Sequence, residues 1–153
     1  MENYLTNELF VGIVSRKEFL LLHEDGLLPH DIAVICILDP DIEFHDKMIM
    51  KSYNSALQIR FWDVEVGVGK YQPLTKEQGQ KIKEFILENK DKRFLVHCMA
   101  GQSRSAGVAC AIECIANFDG NNYEYATGKS DVKNHDRYSP NYTVYDAIIK
   151  EGD

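Results

Sequence analysis

Apolar positions along this chain fall into short runs separated by polar stretches, and the two spacings alternate. Leu9–Val14 reads as a short strand and Arg16–His23 as a short helix. Asp31–Leu38 (DIAVICIL) is almost continuously apolar, as expected of a strand covered on both faces in a parallel sheet, and Pro40 stops it. Ser55–Phe61 (SALQIRF) reads as another strand, leading into Trp62 and Asp63. Glu65–Pro73 contains Gly67, Gly69 and Pro73 and is expected to be a loop. Thr75, with Gln78 three positions on, has the form of a capping box. Ile82, Phe85 and Ile86 then line one face of a helix that reaches about Asn89. Arg93–His97 (RFLVH) predicts a buried strand, Cys98–Ser103 a loop of small residues, and Arg104–Asn117 an apolar helix. Residues 118–138 show no clear period and read as loop with a short helix at most. Ser139 and Pro140 suit an N-cap and first helical turn, so a last helix is expected over roughly Asn141–Lys150.

Strands alternating with helices predict an α/β fold with a mostly parallel central sheet flanked by helices. In such sheets ligands bind beyond the carboxyl ends of the strands, and the loop after His97 falls there. Length, 153 residues, fits a single domain over 1–153 with a sizeable core. No run approaches the length of a membrane span, and the N-terminus lacks the basic and apolar regions of a secretory signal, so a cytoplasmic location is expected. The formal net charge of −7 with scattered Lys and Arg argues against a nucleic-acid partner. A monomer is the default expectation.

Four cysteines, Cys36, Cys98, Cys110 and Cys114, form no C-x-x-C pair, and no His cluster has zinc-ligand spacing. Cys110 and Cys114 lie one turn apart on an apolar helix, and Cys36 sits in an apolar strand. All three read as core. Cys98 stands apart. In Val96–Gly107 (VHCMAGQSRSAG) a strand ends, a short loop turns and a helix begins. Successive backbone amides in such a loop form an anion cradle. Met99, Ala100, Gly101, Gln102 and Ser103 would supply it, Gly101 giving the backbone its freedom to turn. The same amides and the helix end favour a thiolate at Cys98, the form that attacks phosphorus. Arg104, at the helix start, offers a planar fork for two phosphoryl oxygens, and the Ser105 hydroxyl can bond the sulfur. A Cys and an Arg at this spacing are unspecific alone. The strand before, the small residues between and the apolar helix after make the pattern specific.

The segment HCMAGQSRSAG resembles the active-site signature of the protein tyrosine phosphatase superfamily, His-Cys-x5-Arg-Ser/Thr. Its form is most similar to compact dual-specificity phosphatases of bacterial and viral type, and Ser139–Ile148 (SPNYTVYDAI) is similar to their Pro-Asn-containing final helix. The resemblance implies a cysteine-phosphatase fold and no metal or organic cofactor. It implies Cys98 as nucleophile, Arg104 as phosphate ligand, Ser105 as helper in breaking the phospho-enzyme, and His97 as a structural residue orienting the loop. It also implies an acid on an upstream loop, because expelling an alkoxide or phenoxide needs a proton donor. Asp63 matches that spacing, with Glu65 close enough to compete. Trp62 precedes Asp63 without the intervening Pro of a Trp-Pro-Asp loop.

The substrate expected is a phosphorylated protein or small phosphomonoester, phosphotyrosine first and phosphoserine or phosphothreonine alongside it. No basic residue lies between Cys98 and Arg104, which argues against polyanionic inositol lipids. Tyr123, Tyr125, Tyr138 and Tyr142 read as ordinary packing rather than pocket walls. His23, His30, His45 and His135 read as isolated surface residues. A rhodanese-like sulfur transferase, an RNA triphosphatase and a catalytically idle phosphoprotein-binding module are the rival readings. A regulatory disulfide to Cys98 is conceivable in this superfamily, but sequence does not place two sulfurs within bonding distance.

Overall fold

The computed structural model describes residues 3–42, 47–118 and 128–150. Four strands make one sheet: β1 (Phe10–Ser15), β2 (Ala33–Leu38), β3 (Ser55–Arg60) and β4 (Phe94–Cys98). Their order is β1-β4-β2-β3, and every pairing is parallel. Ser15 pairs with Cys98 at the carboxyl edge, so the ends of β1 and β4 lie side by side.

The unbroken apolar runs follow from burial on two faces. Along β2, Ala33, Ile35 and Ile37 enter one cluster, and Val34 and Cys36 enter the other. β4 alternates likewise, with Phe94, Val96 and Cys98 on the first face and Leu95 on the second. On the second face lies α1 (Arg16–Glu24), whose Phe19 is fully buried. The first face carries α3 (Lys76–Glu88), α4 (Arg104–Phe118) and α5 (Tyr142–Ile149). A short α2 (Lys47–Met50) has no counterpart in the sequence reading, since four residues are too few to show a period. Among the described residues no helix is long and apolar enough to cross a membrane.

Two helix starts are fixed by reciprocal capping. Thr75 Oγ1 accepts from the Gln78 amide and Gln78 Oε1 from the Thr75 amide, the box the sequence predicts. Ser15 and Glu18 make the same arrangement at α1. The last helix differs from expectation. Its N-cap is Asn141, not Ser139, and it begins at Tyr142, so Pro140 lies before the first turn. Both Ser and Asn are good caps, so local preference does not separate them. The two ends of the Asn141 amide do, because Oδ1 accepts from the Thr143 and Val144 amides while Nδ2 donates to Asp63 Oδ1 and Val64 O, a double reach that a serine hydroxyl lacks.

Gly79 on α3 and Gly107 on α4 both face α5. A Cβ on Gly79 would lie 2.2 Å from the Ala147 carbonyl oxygen, and one on Gly107 would lie 2.5 Å from that of Asn141. Two glycines inside helices, each costing roughly 0.5–1 kcal/mol against Ala, thus let α5 seat at backbone contact.

Candidate active site

β4 delivers Cys98 to the carboxyl edge as its last residue, one position further than the predicted strand. Cys98 is 2% exposed and faces the helix-rich side. Its neighbour His97 points to the other face, fully buried, and stacks on Phe19 with ring centroids 4.6 Å apart. Cys98 Sγ accepts from the Gly101 amide at 3.2 Å and is in hydrogen-bond contact with Ser105 Oγ at 3.1 Å. Ser105 is itself fully buried. Sulfur, loop amide and hydroxyl are thus together.

The loop between Cys98 and α4 is held from outside by its carbonyls. Gly101 O accepts from Arg137 Nε at 3.2 Å, Gln102 O from Ser139, and Ser103 O from Asn141 at 3.1 Å. All peptides here are trans, so the amides of Gln102, Ser103 and Arg104 turn away from those contacts, as a cradle requires. Gly101 has φ +70°, and a Cβ there would fall 2.4 Å from Ser15 N and Val14 C. Any side chain there would be strained and would force neighbouring backbone to shift.

Arg104 is 4% exposed. Its Nη1 donates to Phe61 O at 2.7 Å and pairs with Asp39 Oδ1 at 2.7 Å. Its Nε is buried. One guanidinium nitrogen therefore anchors the side chain, while Nε meets no acceptor among the described residues. Asp39 was not singled out by sequence, because an Asp after a strand is ordinarily a turn residue.

Asp63 is exposed, but its carboxylate is fixed: Oδ1 accepts from Ser103 Oγ at 2.9 Å and from Asn141 Nδ2 at 3.0 Å. The structure thus brings Asp63 to the loop that carries Cys98. Glu65 is tied through its backbone instead, its carbonyl accepting from Thr143 Oγ1 at 3.0 Å. Beyond Asp63, Trp62 meets Tyr71 edge-on with centroids 4.9 Å apart. The predicted loop contains a small turn closed by a Val68–Tyr71 bridge.

Arg137 is the residue sequence reasoning missed most completely. Its Nη1 and Nη2 donate to both carboxylate oxygens of Glu18, at 3.0 and 2.5 Å, while Nε holds the loop. The guanidinium keeps the Glu18 carboxyl below the usual carboxylate range, against the opposing effect of burial. A lone Arg in an aperiodic segment gives no signal in sequence, since its partner is 119 positions away.

Cys36, Cys110 and Cys114 are buried and not disulfide-bonded. Burial first, and the Glu113 charge second, push Cys110 up to about 12, so it stays a thiol. Tyr138 is buried and its hydroxyl donates to Ile13 O at 2.7 Å, consistent with packing. Tyr142 is half-buried, with the Lys133 ammonium 5.0 Å over its ring. Tyr123, Tyr125 and His45 lie outside the described residues. Two histidines depart from expectation. His23 is half-buried and bonds Tyr53 Oη at 2.6 Å, and His135 is half-buried against Tyr138. His30 is exposed but bonds Ser52 O at 2.7 Å.

A parallel sheet with a cysteine at the end of β4, cradled by the loop into α4, defines the fold of the tyrosine and dual-specificity phosphatases, and this chain has it. Among solved structures it is similar to the PTP-2 phosphatase of Cydia pomonella, at 17% identity over 95% of this chain and 86% of that one, TM-score 0.60. It is similar to DUSP15 at 15% identity, over 95% and 84% of the two chains, TM-score 0.60. It is also similar to PTPMT1, solved in complex with PI(5)P, at 19% identity over 88% and 82%, TM-score 0.54. No protein-family model matches the sequence, and no curated protein sequence matches it.

Proposed function

We propose that the protein hydrolyses phosphomonoesters through a phosphocysteine intermediate, acting on phosphotyrosine and on phosphoserine or phosphothreonine in proteins. The observation that carries this reading is the convergence on one loop. Cys98 Sγ is held by the Gly101 amide and Ser105 Oγ, Arg104 is anchored at its start of α4, and Asp63 is bonded to Ser103.

In the first step the Cys98 thiolate forms a bond to phosphorus and the P–O bond of the ester breaks. Asp63 gives its proton to the departing oxygen. In the second step water attacks phosphorus, Asp63 takes its proton, the S–P bond breaks, and inorganic phosphate leaves. The Ser105 hydroxyl donates to the sulfur as it regains negative charge. The Nε edge of Arg104 and the amides of Met99, Ala100, Gly101, Gln102 and Ser103 hold the equatorial oxygens, where charge spreads as the phosphoryl group transfers.

The presence of nucleophile, clamp and acid favours this reading over an idle phosphoprotein-binding module. Arg104 followed by Ser105, with an acid upstream, favours it over sulfur transfer. Protein substrates are favoured over the inositol lipid bound by the similar PTPMT1, because Met99–Ser103 include no basic residue and Arg137, which bonds the Gly101 carbonyl, is paired with both oxygens of Glu18.

The test is hydrolysis of p-nitrophenyl phosphate and phosphotyrosine peptides in EDTA. Wild type is expected to turn over, and Cys98→Ser to lose all activity. Asp63→Asn is expected to slow the peptide reaction by about 100-fold or more. Folded wild type that is inert on both substrates would sink the reading.

A further inference from the structure

Asn141 is 3% exposed, and each of its polar atoms has a partner. Its backbone amide donates to Ser103 O at 3.1 Å, on the cradle. Its Oδ1 accepts from the Thr143 and Val144 amides at 3.0 and 3.2 Å, which makes it the N-cap of α5. Its Nδ2 donates to Asp63 Oδ1 at 3.0 Å and to Val64 O at 3.2 Å. One side chain therefore joins three pieces: the segment bearing Asp63, the loop bearing Cys98, and the end of α5.

We infer that Asn141 is a positioning residue for the Asp63 carboxyl group, an inference that rests on the reading of Asp63 as the acid. The chemistry of a primary amide suits it to the task. The two helix amides fix which end is oxygen. Turning the group over would set Oδ1 against the Asp63 carboxylate and two NH donors against two NH donors. Nδ2 is therefore locked toward Asp63. Asp63 Oδ1 receives two donors, from Ser103 and Asn141, which leaves Oδ2 to carry the transferable proton. The bond to Val64 O fixes the backbone beyond Asp63, so the carboxyl group is held at its side chain and at its following peptide. Position matters because proton donation requires hydrogen-bond reach of the departing oxygen.

Asn141→Asp separates this role from the structural one. Asp caps a helix as well as Asn does, but it replaces the donor with a second carboxylate oxygen facing Asp63. Asn141→Ser keeps a cap, lacks the reach and adds no charge, and so stands in should the Asp variant fold poorly. Steady-state kinetics on a graded set of aryl phosphates read the effect. Both variants are expected to lower kcat/KM for phenyl phosphate about 10–100-fold and to change kcat/KM for p-nitrophenyl phosphate by less than about threefold, since kcat/KM reports only the first step and a good leaving group needs little acid help there. Adding either substitution to Asp63→Asn should cause no further loss of kcat/KM. Equal loss of kcat/KM across all leaving groups, or full additivity with Asp63→Asn, would overturn the assignment.

A second reading does not need turnover. In NMR spectra the Asn141 side-chain amide resonances should move on Asp63→Ala, while those of exposed Asn117 stay put. Resonances that fail to move would also overturn it. Should the wild type hydrolyse no ester at all, the phosphatase reading fails while these resonances still decide whether Asn141 holds Asp63.

Discussion

Gly101 meets two separate demands. Its φ of +70° belongs to the left-handed region, where a side chain is strained. The space a Cβ would take is filled by the backbone of Val14 and Ser15, with Arg137 Nη2 only 2.7 Å away. Backbone cannot swing aside as a flexible side chain can, so the loop itself would have to move. Gly101→Ala is expected to lower stability by about 2–4 kcal/mol. It should also cut turnover more than substrate binding, because the displaced amide is the one that meets Cys98 Sγ. Thermal melts and kcat together check this. A variant with wild-type melting and wild-type kcat would show that the loop tolerates displacement.

At the scale of elements, the capping box of α3 does more than start a helix. Gln78 uses Oε1 for the Thr75 amide and Nε2 for Arg60 O at 2.7 Å, so the helix start is fastened to the end of β3. That strand runs straight into Phe61, whose carbonyl anchors Arg104. Thr75→Ala is expected to cost about 1 kcal/mol, read as a lower denaturant midpoint with unchanged slope. An unchanged midpoint would mean that the cap is idle.

The same elements show what sequence carries. The runs DIAVICIL and RFLVH betray buried parallel strands because both faces must be apolar. The Thr75–Gln78 pair and the loop from Cys98 to Ser105 are local patterns, legible without any partner. Ser15 and Glu18 are as local, but they lie at the junction of a strand and a helix, where the capping box is easily read as strand end. What stays hidden is long-range. Asp39 reaches Arg104, Arg137 reaches Glu18, and Asn141 reaches Asp63 across 78 positions. Ser139 and Asn141 are both acceptable caps, and it is the long-range bonds of the Asn141 side chain to Asp63 and Val64 that single it out.

For the molecule as a whole, two buried or half-buried carboxyls set opposite pH trends. Glu18 is held below its ordinary 4.5 chiefly by Arg137. The unfolded chain thus binds that proton more readily than the folded one. Its stabilisation is complete above about pH 4.5 and is lost as pH falls through the lowered folded value. Glu113 is 4% exposed and accepts from Ser130 Oγ and from the Asp131 and Val132 amides, yet burial raises it. Its cost to folding therefore grows as pH rises from 4.5 through the raised value. Glu18→Gln keeps the capping box, which accepts Gln as well as Glu, but loses the charge pair. Its deficit in Tm against wild type is expected to be largest near about pH 7 and to shrink by about pH 3. A deficit that is constant with pH would mean the pair adds nothing electrostatic.

The grip of α5 on the acid also ties catalysis to the core. Val144, Tyr145 and Ile148 of that helix are buried with the sheet residues of the first face, so α5 docks as part of the same cooperative unit. During refolding, strand signals and the ability to expel a poor leaving group should therefore return together. Strand signals that came back well before that ability would reveal a chain carrying a reactive sulfur with no steady proton source.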